Sequence, residues 1–251
     1  MNIILDIGNT SCKIAFFEGM EQKKLVRVAN QEEIYPVIAG EKVETIVYST
    51  VRHRSRALLA QLKQLATRVI DFDLKYVRKQ LALGNKVLSP LDNMPEGMGA
   101  DRMAAILEAS TRFPESDIIL FDFGTATTVE FIDAGGHYKG GSISLGLNTR
   151  YRALSHFTHK IPVCSPDVIL NQTNINEIST IGYDLDTALA AGNILGIKFE
   201  IEGYLAAHPN REVILTGGDA AVFAAGVSKK VNVIENLVLL GLARVANMQT
   251  I

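Results

Sequence analysis

The sequence has few cysteines and no large excess of charge, and both shortages exclude classes of protein. Cys12 and Cys164 are the only cysteines in 251 residues, too few for a disulfide framework or for a zinc site built from cysteine alone. The formal net charge is −2, from 25 basic and 27 acidic residues. No overall basic field therefore attracts nucleic acid or an anionic membrane. We expect a cytoplasmic protein, in a reducing compartment, that binds neither.

Long apolar runs and linker-like segments are also missing. No apolar run approaches the ~20 residues that a membrane-spanning helix needs. Met1 leads directly into a strand-like run that ends at Asp6, so we expect no signal peptide. The one local basic cluster, Arg52, Arg54 and Arg56, is interpreted as a solvated helix start rather than a nucleic-acid patch. With 47% hydrophobic and 21% charged residues, the composition is that of an ordinary globular protein.

An internal echo indicates two related halves. One apolar run leads into Asp6-Ile7-Gly8-Asn9-Thr10, and a second leads into Asp122-Phe123-Gly124-Thr125, 116 positions later. Each pattern predicts a buried strand, a tight turn with Asp-x-Gly and a threonine, and a second strand. Because the pattern recurs, we predict two halves, residues 1–114 and 115–251. Their boundary is placed near Pro114, where proline follows a helical run.

Periodicity and composition predict the other elements of each half. In the first half we expect strands at 23–29, 45–49 and 68–72, with helices near 31–38 and 58–65. In the second half we expect a turn at 133–136, strands at 138–144 and 213–216, and helices at 184–205 and 236–246. Strands followed by helices, twice over, predict an α/β fold.

Each of the two turns combines residue types that suit phosphate. The glycine has no side chain to hold a phosphate away from backbone N–H groups, and the threonine can donate its hydroxyl. Asp6 and Asp122, at strand ends, can hold a hydrated cation directly or through water. Either turn alone also fits an ordinary loop, but two such turns across a cleft could clamp a polyphosphate for phosphoryl transfer.

Two further motifs suit a nucleotide and its phosphoryl acceptor. A strand-like run ends in Gly217-Gly218, where adenine could lie against the backbone, although a plain strand-to-helix turn explains the pair equally well. Gly99-Ala100-Asp101-Arg102 precedes a helical pattern. At that helix N-terminus Asp101 could accept a hydroxyl proton as general base, and Arg102 could bind a carboxylate or phosphate. The alternative is an N-cap aspartate beside a solvated arginine.

These motifs resemble, in order and along nearly the whole chain, those of the type III pantothenate kinases. The matching segments are residues 6–10, 99–102, 122–128, 140–147 and 216–218. Other actin-like kinases lack Gly-Ala-Asp-Arg ahead of a Gly-Thr-Ala-Thr-Thr run. The resemblance implies two actin-like, ribonuclease H-like halves with mixed sheets, flanking helices and a cleft between them. It also implies ATP-dependent phosphorylation of pantothenate to 4′-phosphopantothenate, the first step of coenzyme A biosynthesis, by a homodimer.

The resemblance further implies roles for individual residues. The residues that would bind ATP are Asp6, Ile7, Gly8, Asn9, Thr10, Ser11, Cys12, Lys13 and Thr125. Those that would bind pantothenate are Gly99, Ala100, Asp101 and Arg102. Asp101 would be the general base on the primary hydroxyl, and Arg102 would face the carboxylate. Asp6 would help to hold Mg²⁺ through water, and Asp122 would hold a monovalent cation, K⁺ or NH₄⁺.

Three positions depart from the family pattern. Asp92 stands where the family commonly has tyrosine, Leu185 where it often has a threonine near the substrate, and Leu145 where it has proline. Some substrate contacts are therefore missing or come from elsewhere. These departures keep open a second hypothesis, a nucleotide-binding accessory or regulatory protein with weak turnover on the same fold. We find no substrate motif of another actin-like kinase and no Gly-x-Gly-x-x-Gly after a strand.

Overall fold

The computed structural model describes residues 1–53 and 55–249, so Arg54 of the basic cluster lies outside the described residues. Within that part, ten strands form two five-stranded sheets. The strands of the first sheet are β1 (Asn2–Ile7), β2 (Cys12–Glu18), β3 (Glu21–Val28), β4 (Val43–Thr50) and β5 (Ala66–Asp71). Those of the second sheet are β6 (Ile118–Phe123), β7 (Ala126–Ile132), β8 (Tyr138–Leu145), β9 (Glu212–Gly217) and β10 (Asn232–Val233).

The two sheets have the same topology. Their strand orders are β3-β2-β1-β4-β5 and β8-β7-β6-β9-β10. In each, the first strand along the chain pairs antiparallel with the second and parallel with the fourth. The register places Asp6 opposite Ser49 of β4, and Asp122 opposite Thr216 of β9. The prediction of two α/β halves with mixed sheets is confirmed.

Helices flank both sheets. The α-helices are α1 (Ile34–Ile38), α2 (Arg56–Leu65), α3 (Leu74–Ala82), α4 (Ala100–Arg112), α5 (Leu147–Phe157), α6 (Asp167–Leu170), α7 (Leu185–Leu189), α8 (Leu195–Ala207), α9 (Ala220–Gly226) and α10 (Leu237–Ala246). Short 3₁₀ segments cover Gln31–Glu33, Lys86–Leu91 and Ile175–Glu177, and a π-helical segment, Ala190–Ile194, joins α7 to α8. No helix in the described part of the chain has the length and apolar character needed to cross a membrane.

The chain forms two compact units. Among the described residues, unit 1 contains residues 1–115, 134–138 and 236–249, and unit 2 contains Ser116–Asp133 and Lys139–Glu235. In unit 1 the residues of β1 are buried on both faces of the sheet, as expected for a strand with a parallel neighbour under helices. In unit 2 the core is rich in aromatic rings: Phe123 lies 6.0 Å from Phe121 and 4.8 Å from Phe223, measured between ring centroids.

The last helix, α10, packs against α4 and β1 of unit 1. The helices approach so closely that a Cβ on Gly241 would overlap the backbone of Ala104. Glu108 of α4, fully buried, accepts a hydrogen bond from Arg112 at 2.7 Å and one from Arg244 of α10 at 2.9 Å. Since an unpaired buried carboxylate is costly, this ion cluster holds α10 to the helix that carries the Gly-Ala-Asp-Arg motif.

Candidate active site

The first turn, residues 8–11, joins β1 to β2 and projects from the sheet edge. The Gly8 N–H donates to the Ser11 carbonyl oxygen at 3.1 Å, which closes the turn. The Arg52 guanidinium donates to the Asn9 carbonyl oxygen at 2.8 Å and ties the turn to the segment after β4. Asn9 and Thr10 are exposed. The middle of the turn is therefore accessible from solvent.

The other predicted nucleotide residues near this turn divide between the core and the surface. Ile7 is 2% exposed and Cys12 is fully buried, and both belong to the core of unit 1. Burial raises the pKa of the Cys12 thiol, as expected for a packing residue rather than a nucleophile. Any contact of these two residues with a nucleotide would therefore come from their backbone. Lys13 is half-buried in β2, opposite Asp6.

Asp6, one residue before the end of β1, has two charged neighbours. Burial raises the pKa of its carboxyl, Lys13 lowers it, and the negative charge of Asp101 raises it. The Ser49 hydroxyl donates to Asp6 Oδ1 at 3.3 Å and also lowers that pKa. The structure therefore brings the first turn and the Gly-Ala-Asp-Arg motif together, because Asp6 and Asp101 are close enough to interact through their charges.

The Gly-Ala-Asp-Arg motif forms the start of α4, as predicted. Gly99 is the N-cap residue, and Asp101 lies in the first turn of the helix, where backbone N–H groups favour a negative charge. Asp101 Oδ1 accepts a hydrogen bond from the Arg102 N–H at 2.8 Å. A Cβ at position 99 would lie 2.5 Å from that oxygen, so glycine leaves the space in which the carboxylate sits. Asp101 and Arg102 are both half-buried and remain accessible to a ligand.

The Arg102 side chain has a neighbour that the sequence did not indicate. Its Nη2 donates to the Tyr138 hydroxyl at 3.1 Å. Tyr138 is the first residue of β8 and belongs to unit 1. Its backbone is held by the Asn93 side chain, which donates to the Tyr138 carbonyl at 2.7 Å and accepts from its N–H at 3.2 Å.

The second turn, residues 124–125, joins β6 to β7 in unit 2 and is also exposed. The Gly124 N–H donates to the Ala126 carbonyl oxygen at 3.0 Å. The Thr125 carbonyl oxygen accepts from the Gly146 N–H at 3.1 Å and from the Thr149 hydroxyl at 2.6 Å. Because Gly146 is the N-cap of α5, this turn is held against a helix start.

Two glycines let the backbone approach the second turn closely. A Cβ on Gly146 would overlap the carbonyl oxygens of Gly124 and Thr125. Gly217, at the end of β9, has a φ of +95°, and a Cβ there would overlap the Phe123 backbone. That Cβ would also lie 2.6 Å from Asp122 Oδ1, so the predicted cation ligand lies beside the predicted adenosine motif.

Asp219 follows the glycine pair and is the N-cap residue of α9, where its side chain makes no capping hydrogen bond. Burial raises the pKa of its carboxyl, and the charge of Asp167 raises it further. A Cβ on Gly218 would meet nothing within 4 Å. Gly217 and Gly218 thus lie in a strand-to-helix turn between β9 and α9, which was one of the two interpretations of this pair. The turn places a half-buried carboxyl group directly after the glycines.

Sequence reasoning did not single out Ser49, Tyr138 and Thr149. It interpreted Arg52 as part of a solvated helix start, whereas Arg52 precedes α2 and donates to the first turn. Ser49 had a detectable signal, since it is a polar residue near the end of an apolar strand whose parallel neighbour carries Asp6 near its own end. Tyr138 had none, because nothing local brings it to Arg102, 36 positions away. Within the described residues, no group of three or more histidine, cysteine, aspartate or glutamate side chains is arranged to hold a metal ion.

Comparison with known proteins adds to this geometry. A family model described as type III pantothenate kinase matches residues 2–207. A type III pantothenate kinase from Bacteroides fragilis is 35% identical over 256 aligned residues, covering 98% of this chain and 98% of the relative. Among solved structures, a protein described as a Baf family transcriptional activator from Campylobacter jejuni is 19% identical, with a TM-score of 0.59 and coverage of 97% of this chain and 96% of its own.

A second solved structure extends the likeness to a sugar-acid kinase. A protein described as a 2-dehydro-3-deoxygalactonokinase from Sinorhizobium meliloti is 12% identical, with a TM-score of 0.57 and coverage of 98% of both chains. At such identities the likeness concerns the fold alone, and that fold is the expected actin-like one. The family follows from the sequence matches over nearly the full length of the chain.

Proposed function

This chain belongs to the type III pantothenate kinase family, and from that premise we propose that it transfers the γ-phosphoryl group of ATP to pantothenate, forming 4′-phosphopantothenate and ADP. The observation that carries the proposal is the start of α4, where Asp101 interacts with Asp6 of the first turn and precedes Arg102. The residues proposed as general base, anion-binding group and phosphate turn thus all belong to unit 1. The names of the relatives favour a kinase over an accessory protein.

In the proposed reaction Asp101 takes the proton of the primary hydroxyl of pantothenate. The hydroxyl oxygen attacks the γ-phosphorus, the bond from that phosphorus to the β–γ bridging oxygen breaks, and ADP leaves. Arg102 binds the pantothenate carboxylate and so orients the hydroxyl. Positioning of this kind can supply on the order of 7–11 kcal/mol of the reduction in barrier.

The proposed ATP contacts come from both turns. The exposed backbone of the first turn and the Lys13 side chain would bind phosphate oxygens, and Thr125 would contact ATP from the second turn. Asp219, beside the glycine pair, stays outside this proposal. Because each turn follows a buried strand, its backbone has a fixed position from which to meet phosphate.

Asp6 and Asp122 would hold the cations. Asp6 fits Mg²⁺ held through water, because burial and the charge of Asp101 both oppose its ionisation and a nearby cation would offset them. Asp122, one residue before the end of β6, would hold K⁺ or NH₄⁺. When bound, the cations offset the negative charge of the ATP phosphates.

We also propose a cytoplasmic homodimer. Unit 2 exposes large apolar side chains along β8 and the segments after it, and these are Ile143, Leu145, Phe157, Val163, Ile181 and Tyr183. β8 is an edge strand of its sheet. A second copy of the chain covering this surface would remove these side chains from water.

The test is ADP release from purified protein supplied with ATP, Mg²⁺ and pantothenate, with K⁺ or Na⁺ as the only monovalent cation. We expect release that requires pantothenate and is faster in K⁺, which would support both the kinase and the role of Asp122. Release that is equal in the two salts would remove the cation role. If folded protein binds nucleotide but releases no ADP in either salt, the chain is an accessory protein.

A further inference from the structure

The proposed function requires the guanidinium group of Arg102 to meet the substrate carboxylate in a defined plane. An arginine side chain has many rotamers, and fixing one costs conformational entropy. Arg102 is half-buried, so packing alone restrains it only in part. The hydrogen bond from Nη2 to the Tyr138 hydroxyl, at 3.1 Å, restrains the end of the side chain.

Tyr138 is itself firmly placed. It is 9% exposed. The Asn93 side-chain amide accepts a hydrogen bond from the Tyr138 N–H at 3.2 Å and donates one to the Tyr138 carbonyl oxygen at 2.7 Å. These two hydrogen bonds fix the Tyr138 backbone as pairing with a neighbouring strand would. The position of the hydroxyl is therefore restrained, and it can restrain Arg102 in turn.

The chemistry of the acceptor matters as much as its position. A guanidinium has five N–H donors in one plane, and a bond from Nη2 to the hydroxyl uses one of them. The phenol hydroxyl is neutral, so this bond orients the guanidinium without cancelling its charge. A carboxylate in the same place would have competed with an anionic substrate.

We propose that Tyr138 is a positioning residue, whose hydroxyl aims the guanidinium of Arg102 at the carboxylate of the substrate. Tyr138 acts through Arg102 and takes no part in proton or phosphoryl transfer. The inference rests on the proposed function, because it names the group that prepares the pantothenate end of the same site. It predicts that Tyr138 matters for substrates with a carboxylate and not for substrates without one.

The experiment compares wild type and Tyr138→Phe on pantothenate and on its primary amide, which keeps the reacting hydroxyl but has no carboxylate. For pantothenate we expect KM to rise about tenfold, as for loss of a hydrogen bond to a charged group, with kcat and the KM for ATP unchanged. For the amide we expect the same KM in both proteins. An equal rise for both substrates would assign Tyr138 to the structure of the pocket and overturn the proposal.

The matched control is Tyr204→Phe in α8. This substitution also removes a hydroxyl group that is hydrogen bonded, here to Ser142 at 2.7 Å instead of to Arg102. We expect pantothenate kinetics like those of wild type. A rise in its KM equal to that of Tyr138→Phe would mean that loss of any such hydroxyl has this effect.

A double variant separates positioning from folding. In an Arg102→Gln background, Tyr138→Phe should leave the KM for pantothenate where Arg102→Gln alone puts it, because the group that Tyr138 positions is gone. If Tyr138→Phe reduces thermal stability strongly, Asn93→Ala tests the same link, with a smaller selective rise in KM expected. If wild type phosphorylates pantothenate and none of these variants alters its KM selectively, this inference is wrong while the proposed function stands. Absence of pantothenate turnover in wild type would refute the proposed function itself.

Discussion

The turn at residues 8–11 and the turn at residues 124–125 follow equivalent strands in sheets of the same order, but different forces hold them. The first turn is surrounded by charged side chains: Arg52 donates to its backbone, and Lys13 and Asp101 interact with Asp6. The second is held by the Gly146 N–H and the Thr149 hydroxyl, which both donate to the Thr125 carbonyl oxygen, and by glycines that leave no room for a side chain. The same sheet topology thus carries a turn beside several charged side chains in unit 1 and a turn with closely packed backbone in unit 2.

This difference predicts which substitutions each turn tolerates. Around the first turn, removal of charge should reduce activity while leaving the fold intact, because the charged groups are at least partly accessible. Around the second turn, addition of a single methyl group should reduce both stability and activity, because backbone segments there pack directly against each other.

The largest effect is expected for Asp101→Asn. The amide cannot accept the hydroxyl proton, so kcat should fall by about 100-fold or more, while nucleotide binding and thermal stability stay close to those of wild type. The measurement is steady-state kinetics with pantothenate, together with nucleotide titration.

A matched control for Asp101→Asn is Asp167→Asn. Asp167 is also in the first turn of a helix, α6, but it is exposed and lies in unit 2. We expect its kcat to match that of wild type. Turnover of Asp101→Asn at the wild-type rate would remove Asp101 from the role of base.

An intermediate effect is expected for Gly146→Ala in unit 2. The added methyl group would overlap the carbonyl oxygens of Gly124 and Thr125, so the second turn must move. We expect the free energy of unfolding to fall by about 1–3 kcal/mol and the KM for ATP to rise more than the KM for pantothenate. Chemical denaturation and kinetics would measure these two effects.

Gly203→Ala is the matched control for that substitution. Gly203 is exposed within α8, and a Cβ there meets nothing within 4 Å. Because alanine favours a helix over glycine, we expect an increase of about 0.5–1 kcal/mol in stability. If Gly146→Ala behaved like Gly203→Ala, close backbone packing would not be what holds the second turn.

The smallest effect is expected for Arg52→Ala. It removes one hydrogen bond from a half-exposed cation to the Asn9 carbonyl oxygen, which is worth about 0.5–1 kcal/mol. The KM for ATP should therefore rise about two- to fivefold without a change in kcat. Arg56→Ala, at an exposed position on α2, should leave the KM for ATP unchanged, and equal effects of the two substitutions would exclude the link to Asn9.

The sequence was most informative where local pattern and tertiary structure agree. The apolar runs before Asp6 and Asp122 predicted β1 and β6, and the echo between them predicted two related halves. The structure has two such halves, and their sheets share one strand order. The helices α3 and α5 were not predicted. Few of their side chains are buried, only Val77 in α3 and Leu147 and Tyr151 in α5. The start of α4 was predicted correctly because a glycine N-cap precedes a strong helical pattern.

Contacts between distant parts of the chain could not be read from the pattern. The apolar periodicity of α10 shows that it is buried, but not that it packs on α4 through Gly241 and Ala104. Likewise, the sequence contains Tyr138 and Arg102 without any sign that they meet. The individual roles of the site residues in ATP, pantothenate and cation binding remain predictions.

The most direct measurement is the identity of the product formed from pantothenate. Purified protein would be incubated with ATP, Mg²⁺, K⁺ and pantothenate, and the products analysed by mass spectrometry and ³¹P NMR. We predict a phosphomonoester on the primary hydroxyl of pantothenate, formed in equimolar amount with ADP. ADP without phosphorylated pantothenate, or no turnover by folded protein that binds ATP, would contradict the proposed function.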